Sequence, residues 1–372
     1  MGWATDRLRQ AYRRVRWAAK QVLRPPGRGP YLVTGRSRPS LEIHVPIRPT
    51  PTFLNMVRCL ALSLRRNGGA YRDAPIIATV GDRSVDPNLA ERLPWLDSCG
   101  VELSWASADD FVRDSYFATG HQRLCYDHAA DVVLLMDADI LIARPFDEMI
   151  ESVFEQNVIA GLIAHVSPFE QAKRDDLDWH GLWRHCGLSR PRLEYEHTGW
   201  GYMSTDERHR YCPAYFNYGV VAMPRDFARR LGDVIAQIFA KVRERVGTVY
   251  DAQIALAVAI AQLSLPARAL PMHYNFPNVP QLEALHAAEF PHASILHLLG
   301  QHQMTKSGLY ASLDAMREFA CALHLRVTNA KAQRVIREIL PLLERTPPVR
   351  AGMRIPAIER HTPALTGGVP QE

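Results

Sequence analysis

Two aspartates, Asp137 and Asp139, stand two residues apart at the end of an uninterrupted apolar run, Val132-Val133-Leu134-Leu135-Met136. A short apolar run of this kind reads as a buried strand, so the pair is delivered to the rim of a sheet. Two carboxylates this close repel one another unless a proton or a cation sits between them. A hard divalent ion such as Mg²⁺ or Mn²⁺ prefers oxygen ligands and keeps positions open for phosphate oxygens. It could there neutralise a diphosphate leaving group. Asp-x-Asp alone is a pattern that chance supplies often. Its context here is the apolar run before it, with Ile140-Leu141-Ile142 and Arg144-Pro145-Phe146 after it.

The surrounding elements alternate. Leu41, Ile43, Val45 and Ile47 interleave with Glu42, His44, Pro46 and Arg48, the period of a strand with one polar face. Thr50-Pro51-Thr52 has N-cap and first-turn chemistry. Phe53, Val57, Leu60, Ala61 and Leu64 then share a helical face, which Asn67-Gly68-Gly69 stops. Residues 75–80 and 101–105 read as strands, and helices are predicted near 88–93, 110–117 and 122–130. Strand–helix alternation from 41 to 142 predicts an α/β fold with a doubly wound, mainly parallel sheet and helices on both faces. Such sheets bind ligands beyond the carboxyl ends of their strands, where Asp137 stands. From 165 to 213 the pattern gives way to an aromatic- and charge-rich stretch with Trp179, Trp183, Tyr195, Trp200, Tyr202 and Tyr211. A strand over 215–223 and helices over 226–245, 251–262, 313–323 and 330–343 complete the body. The apolar helix around Ile254 is interrupted by Gln253 and Gln262, and reads as buried.

Charge is unevenly placed. Residues 1–36 carry nine Lys/Arg against one acid, Asp6; the whole chain sums to +5, so the remainder sums to −3. A body without its own basic excess argues against a nucleic-acid partner. Within residues 1–30, Leu8, Tyr12, Val15, Ala19 and Val22 fall at helical spacing with arginines opposite. This basic amphipathic arm suits an anionic membrane surface, the alternative being a solvated extension. No stretch approaches the ~20 apolar residues of a membrane span. The chain is therefore expected to be cytoplasmic, or peripheral at the inner face of the membrane. The six cysteines are scattered without a C-x-x-C pair, which fits reduced thiols rather than a disulfide framework. The predicted organisation is an arm (1–30), a catalytic body (31–310) containing the 165–213 insertion, C-terminal helices (311–345) and a Pro- and Gly-rich tail (346–372).

Four stretches, in order, resemble nucleotide-sugar glycosyltransferases of the GT-A fold, in particular family 8 with its glycogenin-like and lipopolysaccharide galactosyltransferase-like members. They are the run through Asp137-Ala138-Asp139, Phe216-Asn217-Tyr218-Gly219, Asp251-Ala252-Gln253, and Ile295-Leu296-His297-Leu298-Leu299-Gly300. The resemblance spans about residues 41–305 and implies a sugar transferred from a nucleotide-diphosphate donor, UDP-sugar favoured, to a glycan or glycolipid hydroxyl, with retention of configuration. It places a metal, Mn²⁺ (or Mg²⁺), on Asp137, Asp139 and His297; imidazole suits Mn²⁺ better. Without the resemblance, His297 reads as a hydrogen-bonded core histidine. Ala138, Asn217, Gly219 and Gly300 fall to the donor and its sugar, and Arg48 or Arg123 to the base or phosphates. Asp251 and Gln253 start a helix near the sugar or acceptor. The family has these two residues adjacent, whereas Ala252 intervenes here, so either could inherit the role. After its late Gly the family has x-x-Lys-Pro-Trp. Gln303 stands in the Lys place here, leaving Lys306 or His302 as the substitute phosphate contact. The aromatic insertion suits either sugar stacking or a satellite core under a long loop.

Other readings of the paired aspartates want features that are missing. A haloacid-dehalogenase-type phosphohydrolase wants a Gly then Thr or Val after the motif, and Ile140-Leu141 follow. A sugar nucleotidyltransferase wants a Gly-rich basic loop after the first strand, and Arg48-Pro49-Thr50-Pro51 is not one. A non-catalytic binding protein that keeps the fold is the remaining alternative, separable by turnover.

Overall fold

A computed structural model describes residues 38–81, 89–106, 120–170, 177–323 and 325–345. The N-terminal arm, the helix predicted at 110–117 and the C-terminal tail lie outside these residues. The strands, in chain order, are β1 (Leu41–Pro46), β2 (Ile76–Val80), β3 (Val101–Trp105), β4 (Val132–Met136), β5 (Ile140–Ile142), β6 (Ile159–Ile163), β7 (Tyr195–Glu196), β8 (Tyr211–Cys212), β9 (Phe216–Pro224), β10 (Ala267–Ala269), β11 (Phe276–Pro277) and β12 (Ile295–His297). The α-helices are α1 (Pro51–Asn67), α2 (Trp95–Cys99), α3 (Asp147–Gln156), α4 (Trp179–His185), α5 (Arg225–Arg245), α6 (Asp251–Gln262), α7 (Pro280–Leu285), α8 (Leu313–Cys321) and α9 (Val327–Arg345).

Seven strands make the main sheet in the order β10-β6-β9-β4-β1-β2-β3. All pair in parallel except β9, which runs antiparallel between β4 and β6. The expected α/β class and mainly parallel sheet are thus what the chain forms. Alternation in β4 shows why the sheet sits in the middle. Val132, Leu134 and Met136 join one core with α1, α8 and α9, while Val133 and Leu135 join a second with α5 and α6. Each fully buried side chain of this size contributes roughly 1.5–3 kcal/mol. Helix α1 begins where its chemistry says, with Thr50 accepting from the Phe53 amide and Pro51 in the first turn. Helix α6 is apolar all round and buried, as expected. Among the described residues no helix is long and apolar enough to cross a membrane. All six cysteines are free thiols.

Three local expectations need correction or completion. The polar face of β1 is not solvated: Glu42 and His44 are both buried, because 120–130 folds over them. That segment is not the helix predicted for 122–130. Leu124 and Cys125 turn back on His121 and Gln122, and the amides of Ala129 and Ala130 donate to Glu42 instead of to a helical ladder. The 165–213 stretch, apart from 171–176, is ordered as α4 and the β7–β8 ribbon. Trp179 packs edge to face with Phe169 and with Trp183 and lies tilted against Tyr215 in the second core, the satellite-core reading. Tyr202 and Tyr211 stay exposed, with Arg210 over the Tyr211 and Trp200 rings.

A second small sheet, β11-β12-β5, has no clear signature in the sequence. It starts immediately after Asp139. Its β5 edge is blunted by α1: the Ile142 amide donates to Ser63 Oγ at 3.0 Å, and Asn67 Nδ2 donates to the Ile142 carbonyl at 2.9 Å.

Candidate metal and sugar site

The main sheet delivers Asp137 one residue past β4, and the small sheet delivers His297 to meet it. In the antiparallel pairing His297 lies opposite Ile140, and the Leu298 amide donates to the Asp139 carbonyl at 3.0 Å. Because side chains alternate along a strand, a one-residue slip would turn His297 to the other face. In this register Nε2 lies 3.2 Å from Asp139 Oδ1 and 3.7 Å from Asp137 Oδ2. The three potential ligand atoms all lie within 4.8 Å of one another. The histidine is sealed, whereas 33% of the Asp137 and 22% of the Asp139 side chain is open to solvent. That combination suits a cation which also needs outside ligands.

The electrostatics agree. Partial burial raises the Asp137 pKa and the Asp139 charge adds to this, against the pull of His297 and Arg123. Burial pushes His297 down, but Asp139 and Asp137 outweigh it and the net shift is upward. Crowded carboxylates and an imidazole aimed at them form a set of donors that a divalent ion would satisfy.

A hydrogen-bond chain fixes which nitrogen of His297 faces the carboxylates. The Gly219 amide donates to Asn217 Oδ1 at 2.8 Å, so that atom is an acceptor. It therefore receives Asn275 Nδ2 at 3.0 Å, which turns Asn275 Oδ1 towards His297 Nδ1 at 3.1 Å. Nδ1 carries a proton as donor, so Nε2 is the nitrogen that faces the carboxylates, where a metal would take the place of the proton that Asp139 and Asp137 otherwise favour there. Gly219 belongs to the same construction: a Cβ there would lie 2.4 Å from His297 Cε1 and Nδ1. Only glycine lets β9 pass so close. Strand β9 also bulges here, with Phe216 opposite Ile163 but Val221 opposite Gly161, and the extra residues carry Asn217, Tyr218 and Gly219 to the edge.

The other sequence candidates take varied places. Arg123 is buried; it donates to the carbonyls of Met136 (2.9 Å), Gly120 (2.8 Å) and, at 3.5 Å, His44, and its guanidinium lies 4.5 Å over the Tyr218 ring. It thus braces the ends of β1 and β4 behind Asp137. Gln253 Oε1 accepts from the Tyr218 amide at 2.8 Å and Nε2 donates to the Tyr215 hydroxyl at 3.4 Å, holding the bulge from α6. Asp251 Oδ1 accepts from the Thr248 amide and hydroxyl, closing the start of its own helix. Ala138 is buried between the two aspartates. Arg48 is exposed at the end of β1, and Lys306 is exposed beyond Gln303. The Gly300 amide donates to Asn278 Oδ1, and a Cβ there would meet nothing nearer than 3.8 Å, so no crowding demands glycine. Asn275 is the residue the sequence reading lacks: it sits in an irregular stretch before β11, with no periodicity to mark it.

No curated protein matches the chain. Solved structures that align with it include the galactosyltransferase LgtC in complex with donor and acceptor sugar analogues (16% identity, 81% of this chain and 95% of that one, TM-score 0.45). Mouse xyloside xylosyltransferase 1 aligns at 12% identity over 70% of this chain and 98% of that one, TM-score 0.39. The glycosyltransferase GlyE of Streptococcus pneumoniae TIGR4 aligns at 14% identity over 83% and 64%, TM-score 0.43. Alignments this loose assign no residue here. The Rhodobacterales glycosyltransferase domain, in contrast, matches residues 52–264, more than half of the chain, through both aspartates and the Asn217 bulge. The chain belongs to that family and is a glycosyltransferase.

Proposed function

We propose that the chain moves a sugar from a nucleotide-diphosphate donor to a hydroxyl acceptor with a divalent cation on Asp137, Asp139 and His297. The convergence of these ligand atoms from two sheets, with the second nitrogen of His297 already committed, carries the reading. A bound cation would neutralise charge on the departing diphosphate. Mn²⁺ is favoured over Mg²⁺ by the imidazole ligand. A UDP-sugar donor and a glycan or glycolipid acceptor follow from the resemblance to family 8.

Among this chain's own residues, Asn217, Asn275 and Gly219 orient His297, and Arg123 and Gln253 hold the strand ends. Ala138 and Gly300 offer backbone to the donor. Asp251 keeps α6 in place, and the exposed Arg48 and Lys306 stand as base and phosphate contacts. The basic arm, residues 1–30, brings the enzyme to the inner membrane face. The test is Mn²⁺-dependent hydrolysis of UDP-galactose and UDP-glucose by the full chain, with calorimetric titration of Mn²⁺ and UDP. Asp139→Asn and His297→Ala should each lower activity by roughly 100-fold or more, together with metal affinity. A variant with full activity would remove that residue from the ligand set.

A further inference from the structure

His165 follows β6, whose carboxyl end shares the sheet edge with that of β4 and so with Asp137. Its proton can be placed from its neighbours. The Thr198 hydroxyl donates to the Ile163 carbonyl at 3.0 Å. A hydroxyl has one proton to give. The same oxygen, 2.7 Å from His165 Nδ1, therefore accepts, and Nδ1 is the protonated nitrogen. Nε2 is left as a bare lone pair with no hydrogen bond to any described residue.

The backbone on both sides of the Nδ1–Thr198 contact is held. The Gly199 amide donates to the His165 carbonyl at 2.9 Å, and His286 Nε2 lies 3.0 Å from the Thr198 carbonyl. His165 is only 8% exposed. An acceptor left bare in so buried a side chain is costly unless a ligand or water brings a donor. Burial, then the nearby His297, His286 and His197, push its pKa down to about 3, so the ring stays neutral. Position comes from the sheet: β6 and β4 run in the same direction on either side of β9, so His165, two residues past β6, stands at the edge that carries Asp137. In the other histidine-rich group, Glu42 with His44 and His128, the bare ring nitrogens His44 Nδ1 and His128 Nε2 are sealed from solvent, so no outside ligand reaches them.

We propose that His165 Nε2 accepts the hydrogen bond of the attacking hydroxyl, a sugar hydroxyl in transfer or water in hydrolysis. This rests on the donor reading above. In that step the hydroxyl oxygen bonds to the anomeric carbon. The bond from that carbon to the diphosphate oxygen breaks and its electron pair leaves on the diphosphate; the hydroxyl's one proton, held against Nε2 until the new bond forms, then swings from Nε2 to the released phosphate oxygen. His165 holds the hydroxyl in place and does not take its proton.

Two substitutions separate this role from a structural one. His165→Asn keeps an amide donor near the Nδ1 position for Thr198 and deletes the distant acceptor; His165→Gln carries an amide oxygen out to about the Nε2 position. Calorimetric binding of UDP with Mn²⁺ should stay within about twofold of wild type in both, since neither touches the donor. Hydrolysis of UDP-galactose and UDP-glucose, and transfer to methyl glycosides, should fall about 10- to 100-fold in His165→Asn, the loss of one well-placed hydrogen bond, and recover in part in His165→Gln. Long-range ¹⁵N NMR of the wild type should show the Nδ1–H tautomer. Wild-type rates in His165→Asn, or UDP affinity falling in step with rate, would overturn the proposal. So would an Nε2–H ring, whether or not the wild type binds UDP. Absence of UDP binding in the wild type would instead count against the donor reading.

Discussion

At the residue scale, the question for His297 is which nitrogen keeps its proton, and Asn275 answers it. Replacing Asn275 by Leu, close in volume, removes the acceptor for Nδ1–H and lets the ring rotate or change tautomer. Mn²⁺ affinity should drop about 10- to 100-fold, measured by calorimetry or by the free-Mn²⁺ EPR signal, while the chain stays folded. Affinity equal to wild type would show that β12 alone orients the ring. Gly219→Ala tests the same contact from the other side. Its Cβ would lie 2.4 Å from the imidazole. The ring must shift by about an ångström, and Mn²⁺ affinity should again fall at least about tenfold. The paired aspartates are legible in the sequence because a strand end is a local pattern. Asn275 is not, since its role arises from contacts to Asn217 and His297, 58 and 22 residues away in the chain.

At the scale of elements, β1 and the 120–130 segment are joined through Glu42. Its Oε1 accepts from His128 Nδ1 at 2.6 Å and His44 Nε2 at 3.0 Å, and its Oε2 from the amides of Ala129 and Ala130. Burial raises the Glu42 pKa, but the bonds from His128 and His44 and the Ala130 amide outweigh it and hold the carboxyl far below its usual range. A carboxylate depressed in the folded state stabilises above its unfolded pKa of about 4.3 and loses that contribution as pH falls towards the folded value. Glu42→Gln should therefore cost ~3 kcal/mol at neutral pH. The gap should begin to narrow below about pH 4 and close only as pH nears the folded value, as read from urea unfolding across pH. A pH-independent gap would show that packing, not charge, holds the segment. Alternation in β1 correctly marks a strand but says nothing of what covers its polar face. That depends on 120–130, whose amides prefer Glu42 to a helical ladder. The small β11-β12-β5 sheet is hidden for a similar reason: strands of two or three residues carry too few positions to show a period.

At the scale of the molecule, the arm and the body have opposite charge, +8 in residues 1–36 against −3 in the rest. Removing residues 1–36 should abolish binding to vesicles containing anionic lipid while leaving Mn²⁺-dependent hydrolysis unchanged, and wild-type vesicle binding should weaken in high salt. A bound metal would act on the body differently. Asp137 and Asp139 bracket the step from the main sheet to β5, and His297 ends the strand that pairs with β5. A cation bound by all three would tie the two sheets together, and unfolding would separate its ligands, so metal binding would be linked to global stability. At a hundred times its Kd the ion should stabilise the native state by about 2.7 kcal/mol. Mn²⁺ should therefore raise the melting temperature of the wild type, Mg²⁺ by less, and the rise should vanish in Asp139→Asn and His297→Ala. If the ion holds the donor's phosphate oxygens as proposed, UDP should add a further increment only when Mn²⁺ is present. Equal shifts in wild type and both variants would mean that the ion binds elsewhere, and the triad would then be a hydrogen-bonded ion pair rather than a metal site.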